Sequence, residues 1–186
     1  MNRKYVFASV IAFVLLALVP VFTQPPAWWA EAVPEHKGVD VWAPKVFQHA
    51  GRTWLLYSIS TFGKNRSAIG LASSDQPDGG EWRDDGLVVA STATDNFNAI
   101  DPDLFVDTDG RLWLSYGSFW GGLRLTELDA KTLKPIGETR FIARRKGGIE
   151  APTIVRHGDW VYLFASYDLC CKGADSTYNV RVGRAR

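Results

Sequence analysis

A short pattern of apolar and polar positions occurs three times along the chain. Each copy has a proline, a run of alternating apolar residues, a polar turn with glycine, and an aromatic-rich run that ends near serine. The copies are residues 43–58, 101–118 and 151–166. Alternation on both sides of a glycine-containing turn is typical of a β-hairpin. The sequence therefore predicts three hairpins of the same design.

Further strand candidates separate the three copies. Residues 67–73 and 86–90 follow the first hairpin, residues 122–128 and 139–143 follow the second, and residues 178–182 follow the third. Four strands per repeat favour the blades of a β-propeller, which bury their faces by stacking on one another. We therefore predict an all-β propeller with two complete blades and a third blade that lacks its last strand. A β-sandwich is the alternative, but it does not require a repeated cassette.

The N-terminal segment has the pattern of an export signal. A basic stretch, Asn2–Lys4, precedes an apolar run without charge from Tyr5 to Phe22, as in a signal peptide. This run is also at the short limit for a membrane-spanning helix, so an uncleaved anchor is the alternative. We expect a secreted protein, extracellular or periplasmic, that contacts a membrane only through an uncleaved leader. Its expected segments are a leader at 1–23, a linker at 24–41 and a partial propeller domain at 42–186.

Composition narrows the classes of partner. The 21 Lys and Arg residues nearly balance the 20 Asp and Glu residues, so no basic excess indicates a nucleic-acid partner. Eight tryptophans suit either a packed core or stacking against sugar rings. Cys170 and Cys171 are adjacent, and a bridge between neighbours closes only a small strained ring. With three scattered histidines, the chain shows no metal-ligand spacing, and we predict no metal and no cofactor.

The repeat allows equivalent positions to be compared, and two of them carry acids. Asp101 stands where the other copies have Ala43 and Ala151, and Glu150 stands one position earlier in the third copy. Both acids lie among apolar or small residues, which disfavour the charged form of a carboxyl group. A paired acid and carboxylate is the working arrangement of glycoside hydrolysis. A turn or capping role is the alternative for each acid taken alone.

The same residues carry a resemblance to glycoside hydrolase family 43, specifically to endo-1,5-α-L-arabinanases. It runs from about Trp28 to Arg186 and is specific because several motifs follow one another in order. These motifs are Val41-Trp-Ala-Pro44, Ser60-Thr-Phe-Gly63, Ser67-Ala-Ile-Gly70, Asn98-Ala-Ile-Asp101-Pro102, Gly117-Ser-Phe-Trp120, Ile149-Glu-Ala-Pro152 and Cys170-Cys171-Lys-Gly with Ser176-Thr-Tyr178.

The resemblance implies an inverting, five-bladed propeller hydrolase of α-1,5-linked arabinan, of which about three blades are present. Glu150 matches the family's general acid, and Asp101 matches the acid that tunes the pKa of the proton donor and orients the substrate. The family's general base is an Asp at the start of the first blade. No such cassette precedes Trp42, and Asp40 does not match it. Lys45 also stands where the family usually has an acid.

Further residues match the sugar-binding cleft of the family. They are Trp42, Phe62, Gly63, Asn98, Ala99, Ile100, Ser118, Phe119 and Trp120. Packing between blades is the alternative role for the aromatic members. Cys170 and Cys171 match the family's Cys-Cys loop, for which a structural role is expected. The expected partner is arabinan or an arabino-oligosaccharide. A non-catalytic carbohydrate-binding fragment and a broken gene product remain as alternatives to a hydrolase, because no general base is found.

Overall fold

A computed structural model describes residues 20–38, 40–78 and 80–186. These residues form three antiparallel sheets whose strands follow one another in sequence. The first sheet contains β1 (Val41–His49), β2 (Arg52–Ile59), β3 (Ser67–Ser74) and β4 (Arg83–Ser91). The second contains β5 (Asp103–Val106), β6 (Leu112–Tyr116), β7 (Leu123–Leu128) and β8 (Pro135–Ala143). The third contains β9 (Ile149–His157), β10 (Trp160–Tyr167) and β11 (Asn179–Ala185). The predicted all-β class and the three hairpins are confirmed.

The first hairpin shows how the cassette specifies its turn. β1 and β2 pair up to His49, which lies opposite Arg52. The two residues between them, Ala50 and Gly51, have left-handed φ values of 50° and 75°. A two-residue turn with this conformation matches the right-handed twist of the flanking strands, and glycine adopts it without a steric penalty. The polar turn in the sequence pattern therefore fixes the register of the hairpin.

The sheets pack on one another in sequence order. The first and second sheets share one core cluster, and a smaller cluster joins the second sheet to the third. The first cluster includes Trp54, Leu56, Ile69, Leu71, Val88, Leu112, Leu114, Tyr116 and Leu128, and the second includes Leu123, Ile149 and Ala165. Burial of these side chains is the main favourable contribution to the stacking. Each sheet therefore buries part of its apolar surface against its neighbour in sequence.

Asp103, at the start of β5, connects the first strands of all three sheets. β5 contacts both β1 and β9, so the first strands of consecutive sheets are neighbours. The Asp103 carboxylate lies 2.6 Å from Nζ of Lys45 in β1 and accepts a 3.0 Å hydrogen bond from the Ile154 N–H in β9. The Asp103 side chain is buried, and a buried charge needs such partners. Lys45, which departs from the resembled family, thus has a structural partner.

The stretch predicted as a linker packs against the first sheet. It contains α1 (Trp28–Ala32), in which Trp29 is buried. The Trp29 Nε1–H donates a 3.2 Å hydrogen bond to the buried hydroxyl of Tyr57, and the Tyr57 ring lies directly over Gly70 of β3. A helix of five residues is too short to produce a helical period in the sequence. The division of the chain into leader, linker and domain stays a prediction.

Most of the predicted leader lies outside the described residues, which begin at Pro20. Among the helices that the structure describes, none is long and apolar enough to span a membrane.

Candidate active site

The three cassettes begin with the same backbone conformation. Ala43, Asp101 and Ala151 each precede a cassette proline and have left-handed φ values of 48°, 58° and 52°. Strand register shifts beside Ala43 and Ala151, as in a β-bulge, which re-aims neighbouring side chains. A left-handed conformation costs a residue other than glycine about 1–2 kcal/mol. Because alanine adopts it twice, this strain belongs to the repeat and is not peculiar to the acid at position 101.

A cavity of about 700 Å³ lies where the cassette starts converge. Most of the residues predicted at the sugar cleft line it. These are Trp42, Phe62, Gly63, Asn98, Ile100, Asp101, Ser118, Phe119, Trp120 and Glu150. Ala99 is the exception, because its side chain is fully buried in the core and its N–H donates to Ser91 Oγ at 2.9 Å. The structure therefore places Ala99 in the core beside the cavity, and its contact with substrate stays a prediction.

The solvent exposure of two aromatic side chains favours stacking against a sugar over packing between sheets. Phe62 is 75% exposed and Trp120 is 45% exposed, although both line the cavity. A side chain that packs between sheets is removed from water, because burial of its apolar surface is what drives the packing. Phe62 and Trp120 therefore present free ring faces, whereas Trp42 is half-buried.

Asp101, which lies just before the second sheet, is held by contacts with the first and third sheets. Its own N–H donates to Ser58 Oγ of the first sheet at 3.1 Å, and its Oδ2 accepts a 3.1 Å hydrogen bond from Ala151 N–H of the third. Burial raises the pKa of the Asp101 carboxyl to about 7, and the nearby charge of Glu150 adds to this rise. The hydrogen bond from Ala151 opposes it. Asp101 therefore changes protonation state near neutral pH.

Glu150 is held by a hydroxyl group at each carboxyl oxygen. Ser118 Oγ lies 2.7 Å from Oε2, and the Tyr178 hydroxyl lies 2.7 Å from Oε1. Burial, together with the charges of Glu150 and Asp101, raises the pKa of Tyr178, so its hydroxyl keeps its proton. A hydroxyl both donates and accepts hydrogen bonds. The pair can therefore hold the Glu150 carboxyl whether it is protonated or ionised.

Several cavity residues were not selected from the sequence. They are Thr61, Lys64, Ala151, Leu169, Cys170, Cys171, Lys172 and Tyr178. Tyr178 had a signal, since it ends the Ser176–Tyr178 motif of the family resemblance, but its position gave no reason to place it beside Glu150. That contact requires the pairing of β10 with both β9 and β11. Sequence pattern alone therefore does not predict this contact.

The two cysteines line the cavity as free thiols. Burial raises the pKa of Cys170 to about 12, with smaller contributions from Cys171 and Glu150. Since the thiolate is the reactive form and the metal ligand, Cys170 is a poor nucleophile at neutral pH. Within the described part of the chain, no group of three or more His, Cys, Asp or Glu residues is placed to hold a metal ion.

The sequence profile of the glycosyl hydrolases of family 43 matches residues 15–186. This chain belongs to glycoside hydrolase family 43. The extracellular endo-α-(1→5)-L-arabinanase 1 of Bacillus subtilis (strain 168) is 48% identical over 169 residues, which cover 89% of this chain and 52% of the relative. The chain therefore spans about half the length of this relative.

Solved structures of family 43 show the same likeness. The endo-arabinanase of Bacillus licheniformis superposes with a TM-score of 0.86 and 52% identity, covering 91% of this chain and 59% of that one. The α-L-arabinanase of Cellvibrio cellulosa in complex with arabinohexaose superposes with a TM-score of 0.81 and 41% identity, covering 89% and 58%. This chain therefore corresponds to rather more than half of each of these two solved chains.

Proposed function

We propose that this chain provides the acid half of an arabinan-hydrolysing site, which cleaves α-1,5-linked L-arabinofuranosidic bonds. One observation carries the proposal: Asp101 and Glu150 line a single cavity together with the exposed rings of Phe62 and Trp120. Sugar sites combine a few placed polar groups with aromatic faces. The names of the relatives support arabinan as the substrate, since they are arabinanases and one of them binds arabinohexaose.

In the proposed reaction, Glu150 donates its proton to the glycosidic oxygen while the bond from that oxygen to the anomeric carbon breaks. Ser118 and Tyr178 hold the Glu150 carboxyl in one orientation before and after this transfer. Asp101 lies close enough for its protonation to depend on the charge of Glu150. Burial, together with the charge of Glu150, raises the pKa of Asp101, as expected because two neighbouring carboxyls disfavour double ionisation.

An inverting mechanism also needs a base that activates water on the opposite face of the sugar. Among the described residues, the carboxylates that line the cavity are Asp101 and Glu150. Both of them belong to the acid side of the proposed reaction, so no further carboxylate of the described cavity lining is left to activate water. This observation favours a second candidate function, in which the cleft binds arabino-oligosaccharides without turning them over.

Binding and turnover, measured separately on the full 186-residue chain, test the two candidates. Arabinotriose binding is measured by calorimetry, and hydrolysis is measured as reducing ends released from linear arabinan. Both signals, with hydrolysis abolished and binding retained in Glu150→Gln, support the hydrolase. Binding without hydrolysis supports the second candidate. Absence of arabinotriose binding by a folded chain overturns both.

We further propose that the three sheets are blades of a five-bladed propeller, and that the protein is secreted. The consecutive strand order of each sheet and the adjacency of β1, β5 and β9 support the first point. The basic and apolar N-terminal residues, with the description of the Bacillus subtilis relative as extracellular, support the second. Fusion of residues 1–23 to a reporter enzyme tests export, and a reporter that stays in the cytoplasm contradicts it.

A further inference from the structure

A second cavity of about 750 Å³ adjoins the first at its Phe119 and Trp120 wall. Phe119, Trp120 and Leu169 line both cavities, and the loop of residues 144–148 closes the far side of the second. We call this loop, Arg144-Arg-Lys-Gly-Gly148, the basic loop. A saccharide bound against Trp120 in the first cavity therefore has a continuous path to the basic loop.

Contacts with the rest of the third sheet fix the conformation of the basic loop. Arg145 Nε donates to Asp168 Oδ1 at 2.7 Å, and Asp168 N–H donates to the Gly148 carbonyl at 3.1 Å. Gly148 lies against the Phe119 ring so closely that a Cβ at this position would meet the ring at 2.5 Å. The charge of Arg145 is thus paired with that of Asp168. The loop is held against the Phe119 wall that the two cavities share.

The two flanking cations differ from Arg145 in their partners. No carboxylate among the described residues lies within salt-bridge distance of Arg144 or Lys146, and both side chains are exposed. The first cavity contains two carboxyl groups, whereas the residues lining the second include none. Lys64 and Lys172 also line the first cavity beside its two carboxyl groups, so the second cavity, which has basic side chains and no carboxyl group, is the more basic of the two.

We infer that the second cavity binds a sugar unit that carries a carboxylate, a uronic acid, next to the neutral sugar in the first cavity. Arginine and lysine recognise carboxylates by charge-assisted hydrogen bonds, and the free face of Trp120 suits a sugar ring. The acidic unit is therefore expected at the basic loop, because the residues lining the second cavity carry basic side chains and no carboxyl group. This inference deepens the proposed function by defining the substrate as an acidic, branched or mixed saccharide.

Calorimetry of the full chain with a matched pair of trisaccharides tests the inference. Trigalacturonate is compared with neutral galactotriose, whose sugar units have the same ring stereochemistry but no carboxylate. We expect trigalacturonate to bind about tenfold more tightly, and its affinity to fall between about 50 and 300 mM NaCl as screening increases. Arg144→Gln combined with Lys146→Gln should raise its Kd about three- to tenfold.

Lys37→Gln combined with Lys131→Gln is the matched control, because it removes the same charge from exposed positions away from both cavities. A change in Kd below about twofold in this control supports a local site. An equal loss in the two double variants, equal binding of both trisaccharides, or inorganic phosphate binding as tightly as trigalacturonate overturns the inference. Arabinotriose binding tests the proposed function separately, so the loss of one signal with the other retained shows which proposal has failed.

Discussion

The Tyr178 hydroxyl and Glu150 Oε1 are joined by a 2.7 Å hydrogen bond. Tyr178 lies just before β11 and Glu150 lies near the start of β9, so this bond connects the two edge strands of the third sheet at the cavity. With Ser118 at the other carboxyl oxygen, the orientation of Glu150 depends on contacts from two sheets. Proton transfer is sensitive to such positioning.

Tyr178→Phe should lower kcat for arabinan hydrolysis about tenfold or more and change KM less than about twofold, because a hydrogen bond to a charged group contributes about 1.5–3 kcal/mol. The phenyl ring retains the packing and removes only the donor. Initial rates of reducing-end release measure both constants. Tyr162→Phe, on β10 and away from the cavity, is the matched control. The carboxyl ¹³C resonance of Glu150 should shift in Tyr178→Phe and not in Tyr162→Phe. This measurement detects the lost hydrogen bond and does not require turnover.

Asp101→Asn should make the protein more stable at neutral pH and change its stability little at pH 4. The pKa of Asp101 is about 7 in the folded protein, against an ordinary value of 3.8. Between these values the folded state binds more protons than the unfolded state, so the free energy of unfolding falls as pH rises. At about 1.4 kcal/mol per pKa unit, the upper limit of the gain is about 4 kcal/mol. Urea unfolding at pH 4 and pH 8 measures it.

Asp107→Asn is a control in which the effect on stability has the opposite sign. The backbone N–H of Thr108, followed by the Arg156 side chain, holds the pKa of Asp107 below its usual range. Its contribution to stability is therefore present above the unfolded pKa and lost as pH falls through the folded pKa. This variant should lose stability at pH 8. Equal pH dependence in both variants would contradict the assignment of a raised pKa to Asp101.

Phe62→Ala should weaken arabinotriose binding about three- to tenfold without lowering the melting temperature. The ring is 75% exposed, so its removal costs the fold little, whereas loss of an aromatic face removes about 0.5–1.5 kcal/mol of stacking. Phe141→Ala is matched, since Phe141 is 58% exposed and lies outside the cavity. Titration calorimetry and thermal melts separate the two effects, and an unchanged Kd in Phe62→Ala would remove Phe62 from the site.

Gly70→Ala should destabilise the protein by about 1–3 kcal/mol, as overpacking a core does. A Cβ at this position would lie 2.3 Å from Cζ of Tyr57, and Tyr57 is itself fixed by Trp29. Gly183→Ala, also within a strand, meets nothing within 4 Å and should change stability by less than about 0.5 kcal/mol. Chemical denaturation compares them. Similar losses in both variants would mean that strand glycine itself is required, rather than space for the Tyr57 ring.

The features that the sequence predicted are those encoded within one cassette. Strand alternation and a glycine-containing turn specify each hairpin locally, as the turn after His49 does in the first. Because the pattern repeats, equivalent positions can be compared between copies. The structure places Asp101 and Glu150, acids at neighbouring repeat positions, in the lining of one cavity. The propeller ring and the catalytic roles stay predictions.

The features that the sequence did not predict depend on contacts between distant segments. Tyr178 reaches Glu150 only through the pairing of three strands, and α1 is positioned by the hydrogen bond from Trp29 to Tyr57. Ala99 lies in the core, where its N–H donates to Ser91 Oγ. In each case one specific contact decides the orientation, and hydrophobic periodicity carries no information about it.

Ala43, Asp101 and Ala151 share a left-handed backbone conformation. Each of the three cassette starts can therefore carry a reactive side chain at the same position. The backbone distortion is already present at the two alanines, and aspartate tolerates positive φ better than alanine does. Introducing or removing a carboxylate at any of these positions therefore requires no new backbone arrangement and no change in the core. A repeat of this kind separates the evolution of the active site from the evolution of the fold, since each sheet can acquire or lose a reactive group by one substitution.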